Sequence, residues 1–305
     1  MSIESCVDFL RKAGISDEIK QQMKAVTDTK EVITMGKKHG YTFDTRDLIT
    51  ASSSLNGANG SHTTRARTRQ AAAVNSAFYH YEFDMAQIPG FEQITGEMDN
   101  LKIKPSSVNL SLYEQRFRED DFQFTSMSPT MPEFQQRYQE IMQSRPESSS
   151  DEQPFSRRDF HLVNLDQYVE HPQYDQYFRA KTRMIAHLEK FFGGEVQFSG
   201  SMWYPPHAYR LWHTNETQPG WRMYLIDFDE PVGNPAGASF FRYMNPQSKE
   251  IVTLEEHPRL ARFFKIEQEA DKLFWHCIVN STTRNRWSFG FAIPENWLDK
   301  FAHIR

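Results

Sequence analysis

The sequence predicts a mainly β protein with helices: a rolled or sandwiched sheet in its C-terminal part and a small helical unit at its N-terminus. Three observations predict this class. After Gly194, short segments rich in aromatic and β-branched residues recur with turn signals between them. In the first 53 residues, apolar side chains recur at helical spacing. Aromatic residues reach 14% while hydrophobics total only 38%, which suits an aromatic-lined β core better than a helix bundle.

Along the chain, Val7, Leu10 and Ala13 share one helical stripe, and Ile19, Met23 and Val26 another. Ser16 before Asp17 and Glu18 reads as an N-cap with acids in the first turn. Thr29 caps a third helix that ends near Gly40, and Asp44 or Thr45 opens a fourth, short one through Leu48. Residues 1–53 are therefore expected as one helical domain. Residues 54–73 are expected as a linker, being small, polar and turn-rich. The linker carries Arg65, Arg67 and Arg69, a solvated cluster or a docking arm for an acidic partner.

A third region, residues 74–305, is expected as one β-rich domain with its core at about 195–294. The stretch FYHYEFD alternates as a strand does, and SVNLSLYEQRF over 107–117 reads as another. Residues 144–154 read as a polar surface loop. Residues 174–192 form an amphipathic helix through Tyr177, Phe178, Ile185, Leu188 and Phe192, stopped by Gly193 and Gly194. Then VQFSGSMWYPP, RLWHTNE, WRMYLIDFDEP, ASFFRYM, KEIVTL, KLFWHCIV and RWSFGFAIP follow as strands, and NWLDKF as a last helical turn.

Bulk properties exclude several classes. A net charge of −5 supplies no global positive field for nucleic acid or acidic lipid. Two cysteines far apart, Cys6 and Cys277, do not make a disulfide framework. The start lacks the basic and apolar regions of a signal peptide, and no stretch approaches a membrane span. The expectation is a soluble, cytoplasmic protein without nucleic-acid or membrane partners.

The segments that carry chemistry are His213-Thr214-Asn215, His276 and Arg286-Trp287-Ser288. On a strand, residues i and i+2 face one side, so His213 and Asn215 are expected to point together into a barrel and meet His276 there. Two imidazoles and one oxygen ligand leave open coordination positions, the pattern of non-haem Fe(II) sites, which normally add a carboxylate. Arg286 and Ser288 share a strand face and can clamp a carboxylate. His207 and His257 are not expected as ligands. Cys277 is expected as a buried thiol on the face opposite His276. Trp203, Trp212, Trp221, Trp275 and Trp287 read as core more than as pocket lining. Asp227 and Asp229 read as solvent-facing strand ends rather than an acid pair.

From about Gln197 to Pro294 the chain resembles the 2-oxoglutarate/Fe(II)-dependent oxygenase superfamily, and within it the prolyl 4-hydroxylase and aspartyl-hydroxylase branches. The resemblance lies in YPPHAYRLWHTN, RMYLIDFDEP, GNPAGASFFRY and LFWHCIVNSTTRNRWSFGF. It implies a double-stranded β-helix (jelly-roll) core, with Fe(II), 2-oxoglutarate and O2 as cofactor and cosubstrates. It places the metal histidines at His213 and His276 and the cosubstrate clamp at Arg286 and Ser288. Tyr204 or Tyr209 would donate to the cosubstrate, and the strand of Arg222 and Tyr224 would face the pocket. The family's carboxylate ligand is replaced here by Asn215. Asn215 through its oxygen, a water, a halide, or Glu216 brought in by a bulge are the candidates for the third position.

Residues 2–53 resemble the Nif-eleven-type leader domain of ribosomally made peptide precursors, through VDFLRKAG, DEIKQQMKAVTDTKEVI and GKKHGYTFDTRDL. That resemblance implies a docking role toward a partner. The expected function is hydroxylation of an amino-acid side chain, in a peptide or protein or as a free amino acid. Alternatives are a halogenase on the same scaffold and a non-catalytic protein that binds metal or 2-oxoglutarate.

Overall fold

The computed structural model describes residues 3–24, 26, 29–45, 47–48, 80–144, 155, 157–168, 171–229 and 237–301. The expected linker with Arg65, Arg67 and Arg69 lies outside them, as does the polar loop beyond Ser144.

Three helices open the chain: α1 (Ile3–Ile15), α2 (Asp17–Lys24) and α3 (Thr29–Lys38). The Ser16 hydroxyl accepts from the Ile19 amide at 3.4 Å, in the capping role expected of it. Asp44 and Asp47 cap each other reciprocally. The Asp47 amide donates to Asp44 Oδ1 at 2.9 Å, and the Asp44 amide to Asp47 Oδ2 at 3.1 Å. Cys6, Phe9, Ala13, Ile19, Val26, Val32, Phe43 and Leu48 are buried together as a core of their own. Gly36 is needed in this core, because a Cβ there would stand 2.3 Å from the Phe43 ring.

The rest of the described chain is built on strands. They are β1 (His80–Asp84), β2 (Phe160–His161), β3 (Val163–Asn164), β4 (Gln197–Tyr204), β5 (Ala208–His213), β6 (Gly220–Phe228), β7 (Ser239–Met244), β8 (Ile251–Glu255), β9 (Leu260–Ile266), β10 (His276–Asn280) and β11 (Arg286–Ala292). Helices α4 (Glu92–Leu101), α5 (Leu110–Gln115), α6 (Glu119–Phe124), α7 (Pro132–Gln143) and α8 (Tyr174–Phe192) accompany them, and a 3-10 turn spans Trp297–Phe301. Two antiparallel sheets result, one in the order β1-β9-β6-β11-β4-β3 and one in the order β2-β5-β10-β7-β8.

Strand alternation divides the side chains into three layers. The outer face of the six-stranded sheet packs Met223, Leu225, Phe263, Trp287 and Phe289 against Ile94 and Met98 of α4 and Tyr177, Met184 and Leu188 of α8. The outer face of the five-stranded sheet packs Leu211, Trp212, Cys277 and Val279 against Phe124 of α6 and Phe134 and Ile141 of α7. Between the sheets lie Tyr204, Phe241, Phe264, Phe274 and Ile278. Trp203, Trp212, Trp221 and Trp287 are buried in the outer layers, so they are core as expected and do not line the space between the sheets. Trp275 packs partly buried beside the α7 layer.

Two expectations are corrected. Residues 107–117 are not a strand. The Asn109 side chain accepts from the Leu112 amide at 2.9 Å and starts α5, so a local cap overrides the apolar alternation of that stretch. Replacing Asn109 by alanine is expected to cost about 1 kcal/mol, read as a lowered denaturation midpoint. Conversely, β9 was not expected as a strand, because Arg262 and Lys265 interrupt its apolar run. It lies between β1 and β6 and pairs along its whole length with β6.

Candidate active site

β5 and β10 are antiparallel neighbours, and their register sets His213 opposite His276. The two imidazole centroids are 4.0 Å apart. His213 Nδ1 lies 2.7 Å from the Leu211 carbonyl, and His276 Nδ1 lies 2.8 Å from the Phe274 carbonyl. A carbonyl only accepts, so each Nδ1 carries the proton and each Nε2 keeps its lone pair. His213 Nε2 is buried with no hydrogen-bond partner among the described residues. Burial holds both imidazoles far below their ordinary range, His276 at about 3, and the Arg210 guanidinium adds to the effect. Both rings are therefore neutral at neutral pH, the state in which imidazole binds a metal.

A bulge in β5 builds this arrangement. The register runs from His276 opposite His213 to Ile278 opposite Arg210, three residues on β5 against two on β10. The extra residue turns both Arg210 and His213 to the inner side, where they line one pocket with His276. Tyr209, Leu211 and Trp212 face the outer layer. Tyr209 is thus a correction: its ring lies 5.0 Å from His161, in the outer layer and away from the pocket.

Asn215 reaches the pair by a different route from the one expected. It lies past the end of β5 in a left-handed conformation, φ +57°, so strand parity does not place it. Its amide nitrogen is 3.4 Å from His276 Nε2, and its oxygen accepts from Arg210 Nη2 at 3.1 Å. The oxygen expected to ligate a metal is engaged by a guanidinium, and the amide's donor side meets the imidazole. Glu216 is exposed. Among the described residues no group of three or more His, Cys, Asp or Glu side chains is arranged around a metal position.

The pocket continues from the histidines between the sheets past Met202, Tyr204, Tyr224, Phe264, Arg262, Arg286 and Ser288. β11 presents Arg286 and Ser288 inward and buries Trp287 and Phe289 outward. Arg286 is already engaged: its Nε donates to Glu256 Oε2 at 2.6 Å and its Nη2 to Oε1 at 2.8 Å. Arg262 Nη1 donates to the same Oε1 at 2.6 Å, and Arg262 Nε to Glu82 Oε1 at 2.7 Å. Burial alone would raise the Glu256 carboxyl, but the guanidiniums of Arg286 and Arg262 reverse this and hold it at about 2. The Tyr204 ring lies 4.4 Å from the Arg286 guanidinium carbon. Tyr224 lines the pocket opposite Gly290, where a Cβ would stand 2.8 Å from the Tyr224 ring. Arg222 is corrected: Nη2 donates to the Gln218 carbonyl at 2.8 Å, and the residue does not line this pocket.

Sequence reasoning missed Arg210, Arg262 and Glu256. The signal for the two arginines was a cation inside an apolar strand run, RLW and LARFF, which is costly unless the charge has a buried task, and Glu256 had no such signal. Asp227 is not a solvent-facing end, since it is buried with Lys102 at 2.8 Å and Arg259 at 3.3 Å. Asp229 pairs with Lys104 at 3.0 Å. His257 is exposed with Nδ1 near the Pro258 carbonyl, and His207 lies 6.3 Å from the Phe117 ring, so neither joins the pair. Cys277 is buried in the outer layer opposite His276, as expected.

Residues 1–48 match the family described as the Nif11 domain. No curated protein sequence matches the chain. Among solved structures, the chain is similar to a prolyl-4-hydroxylase from Pseudomonas putida, with 15% identity, 41% of this chain and 68% of that one covered, and a TM-score of 0.27. It is similar to a prolyl hydroxylase from Trichoplax adhaerens in complex with a hypoxia inducible factor oxygen degradation domain peptide fragment (10% identity, 44% and 62% covered, TM-score 0.27). It is also similar to EctD from S. alaskensis in its apoform (14% identity, 36% and 50% covered, TM-score 0.25). The chain thus spans between half and about two thirds of these proteins' lengths. No described helix is long and apolar enough to cross a membrane.

Proposed function

We propose that the chain is an Fe(II)- and 2-oxoglutarate-dependent oxygenase that hydroxylates an amino-acid side chain in a peptide or protein. The observation that carries this reading is the pair His213 and His276, each fixed through Nδ1 to a backbone carbonyl and each keeping its Nε2 lone pair in one buried pocket. Such second-atom tethering orients metal-binding imidazoles. The residues fit Fe(II) as a two-histidine donor set, with His213 and His276 as its protein ligands. When bound, the iron supplies the oxidising chemistry with O2 and the 2-oxo acid. The protein's part is to bind, orient and exclude water: Arg286 and Ser288 hold the cosubstrate's distal carboxylate, and Tyr204 fixes the Arg286 plane. In this reading the two sheets are the halves of a double-stranded β-helix within residues 74–305. Residues 1–53 form a separate docking domain that recruits the peptide or a partner through a linker over 54–73.

The test is anaerobic addition of Fe(II) and 2-oxoglutarate, followed by O2. A visible charge-transfer band from the chelated 2-oxo acid, then succinate formation, is expected. Absence of both rejects the reading.

One observation favours a second reading, a halogenase. The position beside the histidines is rich in donors, with the Asn215 amide nitrogen toward His276 and Arg210 behind it. Donors suit an anion such as chloride. Asn215→Asp replaces an amide by a carboxylate in reach of the pair, so it is expected to raise metal affinity about tenfold or more, measured by metal titration. A chlorinated product that forms only with chloride and disappears in this variant would decide for the halogenase.

A further inference from the structure

We propose that Arg262 is a second specificity-determining residue of this pocket, and that Glu256 is the positioning residue that sets it beside Arg286 to receive one carboxylate between two guanidiniums. This rests on the reading of the cavity as a 2-oxo acid site. It adds the residue that selects a dicarboxylate over a 2-oxo acid with no distal charge.

Arg262 and Arg286 stand on β9 and β11 with β6 between them. Tyr224 of β6 is opposite Arg262, and Phe228 is opposite Arg286. Nothing in the sheet itself brings the two guanidiniums together. Glu256, just after β8, does so by accepting from Nη1 of Arg262 and Nη2 of Arg286 on a single oxygen. Stacking fixes the planes further, with the Arg262 guanidinium carbon 4.0 Å from the Phe241 ring and that of Arg286 4.4 Å from Tyr204.

Each arginine then has one donor left over. Arg262 Nη2 and Arg286 Nη1 are buried without a hydrogen-bond partner among the described residues. Both arginines line the cavity that also holds His213 and His276. Two buried cations that line one cavity and each keep an unpaired nitrogen are costly unless an acceptor comes from outside the chain. Charge points the same way. Arg210, Arg262 and Arg286 line the cavity, whereas Glu256 and Glu82, the carboxylates that pair with Arg262 and Arg286, are not among its lining residues. An entering carboxylate, with two oxygens, can accept a charge-assisted hydrogen bond from each guanidinium. A 2-oxo acid that ends in a methyl group would leave both donors unpaired.

The experiment compares wild type, Arg262→Gln, Arg262→Lys and Glu256→Gln in the full chain. Calorimetry under anaerobic conditions, with Mn(II) bound, measures affinity for 2-oxoglutarate and for 2-oxobutyrate. Thermal unfolding of each variant and its Mn(II) affinity are recorded beside it. Wild type is expected to prefer 2-oxoglutarate. Arg262→Gln is expected to weaken 2-oxoglutarate binding by about 10–100-fold while leaving 2-oxobutyrate and Mn(II) binding unchanged. Glu256→Gln is expected to weaken 2-oxoglutarate in the same direction, since the guanidiniums lose their common anchor. If Arg262→Gln does not fold, Arg262→Lys, which keeps the charge and loses the fork, is expected to show the same selective loss. An unchanged preference in whichever of these two variants is folded overturns the role of Arg262. Wild type that binds neither acid overturns the cosubstrate reading itself, which separates the two failures.

Discussion

Replacing Glu256 by alanine is expected to destabilise the fold by about 3–5 kcal/mol, because it strands two buried guanidiniums without their common counter-charge. The side chain is fully buried, and its oxygens receive three N–H donors from Arg262 and Arg286. Stability of a whole domain is about 5–15 kcal/mol, so chemical denaturation should show a large loss. A Glu256→Ala protein that unfolds at the wild-type denaturant concentration would contradict this. The same residue gives a pH signature. Its folded-state value, about 2, lies below the ordinary 4.5. A depressed carboxyl contributes fully above the ordinary value and loses that contribution as pH falls through the folded one. Wild-type stability is therefore expected to decline between about pH 4.5 and 2, and Glu256→Gln to show a flatter decline over that window.

Replacing His213 or His276 by alanine is expected to abolish metal binding and succinate formation. Loss of an outer partner of a metal ligand costs about 10–100-fold, and loss of one of two protein ligands should exceed that. Metal content after gel filtration and succinate yield measure the effect. Folding should survive in His213→Ala, since the side chain gives up one hydrogen bond, from Nδ1 to the Leu211 carbonyl two residues away, while its Nε2 has no partner among the described residues. A variant that keeps wild-type turnover would remove the histidine pair from the chemistry.

Much of this was legible in the sequence where side-chain type and strand parity agree. That Arg286 and Ser288 share a face and that Cys277 is opposite His276 follow from alternation, and α8 appears over the residues its apolar stripe marks. The failures share a cause: local geometry that alternation does not encode. The β5 bulge sends Tyr209 outward and Arg210 inward. The Asn109 cap turns an alternating stretch into α5. The left-handed turn at Asn215 presents the amide nitrogen to His276 instead of the oxygen. Glu256 was illegible for another reason. Its partners Arg262 and Arg286 are six and thirty residues away on two different strands, and nothing short of the assembled sheet shows that they share it.

The two-for-three match between β10 and β5 has a genetic consequence. Which side chains look inward along β5 is decided by counting positions, whereas their chemical kind has little influence. Leu211 and Trp212 should accept changes of similar volume at modest expense. Removal of the codon for Leu211 or Trp212 sets Arg210 and His213 two positions apart, so plain alternation turns both toward the cavity and the bulge is no longer needed. A scan of single-codon deletions and substitutions across residues 209–214, scored by metal retention, should find loss of Leu211 or Trp212 alone tolerated and loss of His213 not.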